Sequence, residues 1–134
     1  PLWIGPLMDK DIAGRITIEK AIETCLPNDQ ELQFVKSKGL EWSDIDKEYA
    51  SREMARSVKH IAQAADLLSR EHLLLSLDAM PRLAGTKGTP KMEYILNDLV
   101  ELGHCAARYP DMDPMFATDA PFDKVLQVVR QYHN

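Results

Sequence analysis

Arg52, Arg56, Lys59, Gln63 and Arg70 recur at spacings of three, four and seven, which places them along one face of a helix. Cations in a row at that pitch can contact successive phosphates of a nucleic-acid backbone; the plainer reading is the solvated polar face that any amphipathic helix carries. Lys87, Lys91 and Arg108 form a second basic group further along the chain. Other chemistries find less support. His60, His72, His104 and His133 share no ligand spacing such as H-x-x-x-H, so no metal site is expected from them. Cys25 and Cys105 lie far apart with no C-x-x-C partner, which argues against a zinc cage or disulfide framework and fits a reducing, intracellular compartment. Asp44 with Asp46, and Asp111 with Asp113, read as turn carboxylates held by local hydrogen bonds. No Ser, His, Asp set stands out for nucleophilic catalysis.

A chain of 134 residues suits a single domain spanning residues 1–134, and it can bury a core without staples. The net charge of −5 opposes a generally basic nucleic-acid binder but leaves room for local strips. No apolar run is long enough for a membrane span, and no signal peptide is evident. The opening PLWIGPLMDKD is rich in apolar residues, and Leu2, Trp3 and Ile4 read as a segment that packs against something upstream.

The elements that must position these residues follow from period and caps. Asp9 is expected to cap one helix running to about Cys25, and Asp29 to Lys38 a short second one closed by Gly39. Met54, Val58, Ile61, Ala65 and Leu68 step by four and three, which predicts a long helix from Asp46 to Arg70. The run from His72 to Leu77 reads as a strand. Asp78 is then expected to cap a short helix ended by Gly85. Thr89 and Pro90 read as the cap and first turn of a helix with Met92, Ile95, Leu96, Leu99 and Val100 on its inner face, left through Gly103. His104–Arg108 and Met115–Thr118 flank the turn-forming YPDMDP as a hairpin. Asp119 is expected to cap a final helix with Phe122, Val125, Leu126, Val129 and Tyr132 inward. The fold class is therefore α+β: helices with a small antiparallel sheet in a winged-helix-like order of helix, strand, short helix, helix, β-hairpin and C-terminal helix.

Two stretches carry a family resemblance. PLWIGPLMDKD resembles the G-P-L-W-x-G-P-L-x-D segment of the tRNA guanosine-26 N2-dimethyltransferase family. GHCAARYPDMDPMFATDAP, from Gly103 to Pro121, is similar to that family's G-Y-x-A-S-R-T-H-F-x-P…I-K-T-D-A-P signature. Gly103, Ala106, Arg108, Thr118, Asp119, Ala120 and Pro121 match by residue type. Ala107, Pro110 and Ala117 stand where the family has serine, histidine and lysine, so two groups able to contact RNA are replaced. The resemblance implies that the chain is the C-terminal, tRNA-engaging part of a longer enzyme, with Pro1 a boundary inside it. It also implies an upstream domain that binds S-adenosylmethionine and methylates a guanine amine. This chain holds neither a glycine-rich loop after a strand nor an Asp-Pro-Pro-aromatic motif, so no catalytic or cofactor-binding residue is expected here. Asp78 in LDAMP only echoes that motif. The partners implied are tRNA and the upstream methyltransferase domain, with Arg108 the leading contact and Lys87, Lys91, Arg52, Arg56 and Lys59 beside it. A reading from another class is a non-enzymatic protein-interaction or intramolecular scaffold module of winged-helix type.

Overall fold

A computed structural model describes residues 5–132. Leu2, Trp3, Ile4 and His133 lie outside them. Met115–Thr118 (β3) is the central strand of a three-stranded antiparallel sheet, with Leu73–Ser76 (β1) on one side and Ala106–Arg108 (β2) on the other. Alternation along β3 sends Phe116 and Thr118 to one face and Ala117 to the other, and both faces are covered. On one face lies Asp44–Leu68 (α4), which buries Ala64, Leu67 and Leu68 against Ala117, with Leu74, Ala107 and Tyr109 at the margin. On the opposite face Met80–Ala84 (α5), Met92–Glu101 (α6) and Phe122–Gln131 (α7) enclose Phe116 with Ile95, Leu99, Val125, Val128 and Val129. The hairpin β2–β3 is the wing of a winged-helix-like arrangement, as the element order led one to expect.

Local chemistry accounts for the boundaries. The long helix begins at Asp44, two residues before the expected start, because Ser43 and Asp46 form a reciprocal capping box. Asp44 and Asp46 are thus first-turn helix residues, where a carboxylate also complements the helix dipole, and are not a turn pair. Asp46 is held below the ordinary carboxylate range by its bonds from the Ser43 N–H and hydroxyl. Asn28 and Glu31 make the same box at the start of Asp29–Ser37 (α3). Gly103, with φ +90°, turns the chain out of α6 in the left-handed region that side chains disfavour.

Several expectations are corrected. The single helix from Asp9 to Cys25 is two, Lys10–Ala13 (α1) and Ile18–Cys25 (α2). Asp9 caps the first as expected, but Gly14 ends it and Thr17 offers its side-chain oxygen to the Lys20 N–H at 3.2 Å, starting another. Asp78 caps nothing: it sits inside a 3-10 turn, Leu77–Ala79, that leads into α5, where Pro81 takes the first turn. Thr89 and Pro90 do not open α6. Lys91 keeps an extended backbone as its N-cap, and Pro90 is buried just before it. Val100 is 54% exposed instead of facing the core. Asp119 does not cap α7, whose N-cap is Pro121; its carboxylate is engaged elsewhere. Phe122 and Tyr132 stay partly exposed outside the core, while Val128 takes the core place that the expected stripe missed. No helix among the described residues is long and apolar enough to cross a membrane.

Candidate functional site

The wing folds against α4 and leaves a cleft of about 230 Å³ between them. From α4 come Glu53, Arg56 and His60; from β2 come Arg108 and Tyr109; from the wing tip come Asp111, Met112 and Asp113. Helical spacing puts Arg56 and His60 one turn apart on the same face, and β2 brings Arg108 to it. The wing is tied down at its tip, where the Ser57 hydroxyl donates to Asp111 at 2.7 Å. Asp111 has φ 56°, a left-handed conformation that aspartate tolerates better than most residues.

Three of the expected phosphate contacts meet here or next door. Arg56 and Arg108 line this cleft, and Lys59 lines an adjoining groove that shares His60 and Arg108. Arg52 lies a turn before Arg56 and outside both. Lys87 is exposed in the loop before α6, and Lys91 sits at the start of α6 with its ammonium 5.8 Å from the Tyr94 ring centre. Neither Lys87 nor Lys91 lines the cleft.

The basic face of α4 carries its own counter-charges. Arg52 pairs with Glu48 at 3.0 Å and Arg56 with Glu53 at 3.8 Å. Arg108 reaches Asp113 at 3.2 Å and Glu93 at 3.8 Å. These carboxylates are well exposed, so each pair is worth only about 0–1 kcal/mol, and a phosphate can take the cation from them. The side chains of Lys59, His60 and Gln63 make no hydrogen bond or ion pair among the described residues. No group of His, Cys, Asp or Glu among them could hold a metal ion. His72 is buried, with its Nδ1 2.8 Å from the Arg70 carbonyl, and Cys25 and Cys105 are exposed and unpaired.

No local sequence signal marks the junction that holds the wing's base. Asp119 accepts from the Cys105 N–H at 2.7 Å and from Arg70 Nη1 at 2.9 Å, and the Thr118 hydroxyl donates to the Cys105 carbonyl while accepting from Ala120 N–H. Arg70 thus leaves the supposed phosphate ridge and braces the hairpin. Partial burial pushes Asp119 upward, but the Cys105 N–H and the Arg70 guanidinium outweigh it and leave its pKa below the usual 3.8. A depressed carboxylate stabilises the fold above its unfolded pKa and loses that contribution as pH falls through the lower folded value. Asp119→Ala is therefore expected to destabilise the chain by about 1–2 kcal/mol at pH 7, discounted for the exposure of Arg70. In urea titrations the gap from wild type should close as pH drops below the ordinary carboxylate range. A gap that persists at acid pH would mean that packing, not charge, holds the junction.

Against known proteins, the chain matches no family model, no curated sequence and no solved structure.

Proposed function

We propose that this chain is the C-terminal tRNA-recognition and positioning domain of an S-adenosylmethionine-dependent tRNA guanine-N2 methyltransferase, working inside a reducing compartment and carrying no catalytic machinery itself. One observation supports this most. The segment that resembles the family signature, Gly103 to Pro121, folds as one unit: exit from α6, strand β2, wing, strand β3 and the approach to α7. Within it Gly103, Thr118 and Asp119 build the hairpin, whereas Arg108 stands at the mouth of a cleft beside Arg56. Arg108 is thus the matching residue best placed for a ligand, and its planar donor fork suits a phosphate or a guanine edge.

The junction after β1 is a poor fit for the methyl donor. Where β1 runs into a helical turn, the sequence Leu77 to Pro81 has no glycine that would let a nucleoside approach the backbone. The cofactor belongs, in this reading, to the partner domain upstream. The test is fluorescence anisotropy of labelled tRNA with the full chain, alongside incubation with tRNA and labelled S-adenosylmethionine. Saturable tRNA binding without methyl transfer is expected; turnover by this chain would overturn the division of labour.

A scaffold reading is favoured by a different observation. Ile12, Phe34, Leu40, Ile45 and Tyr49 are each more than half exposed across α1, α3 and the start of α4. Acids outnumber bases between Asp9 and Glu48, so the excess negative charge gathers on this arm. Absence of tRNA binding in the same titration would make that reading the better one.

A further inference from the structure

β2 is an edge strand, and its free side opens into the groove beside the wing cleft. At its two ends the Tyr109 N–H donates to the Met115 carbonyl and the Asp119 N–H to the Cys105 carbonyl. Bonded and non-bonded pairs alternate in an antiparallel ladder, so Cys105, Ala107 and Tyr109 turn their main chain to β3. Ala106 and Arg108 turn theirs outward. Among the described residues no other main-chain group meets those outward donors and acceptors. An unpaired row of this kind is a template for one more strand.

The groove holds about 350 Å³, and its two walls differ in chemistry. On the α4 side stand Lys59 and His60, neither of which has a partner among the described residues; on the α6 side stand Leu96 and Val100. Its floor is made of Ala106 and Ala107, small enough to let another backbone approach, and no carboxylate lines it. We infer that the free edge of β2 is a strand-addition site for an extended protein segment that alternates acidic and aliphatic side chains. Side chains of an added strand point alternately to the two sides. One set then meets Lys59 and His60 of α4, and the next meets the aliphatic wall of α6. A nucleic-acid strand would leave both the main-chain ladder and the aliphatic wall unmatched. This goes beyond the tRNA reading and does not depend on it.

The test uses the full chain and a capped, fluorescein-labelled Val-Glu-Val-Glu-Val peptide, with Val-Lys-Val-Lys-Val and labelled oligouridylate as comparisons. The acidic peptide is expected to bind saturably and at least about tenfold more tightly than the basic one. Ala106→Pro removes an outward N–H at the kind of edge position where proline is tolerated, and should weaken the acidic peptide by about fivefold to tenfold. Val100→Glu, on an exposed helix position, sets a carboxylate in the groove and should weaken it by about tenfold while leaving melting unchanged. Should Ala106→Pro lower the melting temperature, Val100→Glu decides. Equal binding of both peptides, no saturable binding, or indifference to Val100→Glu would overturn the proposal. The tRNA reading is tested separately through Arg108, so the two can fail independently.

Discussion

Replacing Phe116 with alanine is expected to remove about 3–5 kcal/mol of stability, a large share of the whole for a domain of this size. Phe116 is fully buried on the central strand, paired with Leu75 on one neighbour and Arg108 on the other. It fills the space between the sheet and the layer of α5, α6 and α7. No flexible side chain in that cluster can collapse across the gap without leaving its own contacts, so both the transfer cost and the cavity cost apply. Phe116→Leu keeps most of the volume and should cost less than half as much. Urea denaturation followed by far-UV circular dichroism reads both. A loss under about 1 kcal/mol for the alanine variant would mean that the sheet is not the centre of the core.

The second large effect concerns the ligand. Arg108→Ala is expected to weaken tRNA binding by about 1–3 kcal/mol, as for a lost bidentate contact, with the melting temperature nearly unchanged. The effect would vanish if Asp113 and Glu93 held Arg108 more tightly than a phosphate does. Magnitudes decide. Both acids are exposed, so their hold on the guanidinium is about 0–1 kcal/mol, less than a phosphate pair offers. The same reasoning gives a control of opposite direction: Asp113→Asn frees Arg108 and should tighten binding modestly. If both variants bind as wild type, Arg108 is a structural strut of the wing and the scaffold reading gains.

The order of elements from Ser43 onward was legible because the signals are local. A step of three and four along Met54 to Leu68 marks α4, Gly103 marks the end of α6, and YPDMDP marks the wing. The pairing of β1 with β3 was not legible, since register between strands some forty residues apart is set by which faces are buried and not by any neighbour in sequence. Asp119 shows a different limit. Placed just before a helix it has the composition of a cap, but Arg70 and the Cys105 N–H, brought near only by the fold, bind it more strongly. The neutralisation of Arg52 and Arg56 was within reach, because Glu48 and Glu53 stand four and three residues ahead of them. The pairing of Arg108 with Glu93 was not, because it crosses from α6 to β2.

In the proposed reading Arg56, Lys59 and Arg108 form one phosphate-contacting face despite the net charge of −5. Its most direct test is the salt dependence of tRNA binding by the full chain, followed by anisotropy across about 50–300 mM salt. Three duplex phosphate contacts predict that the logarithm of the affinity falls against the logarithm of salt with a slope of about −3, shallower by about one in Arg108→Ala. A flat line, or the same slope in wild type and Arg108→Ala, would contradict it.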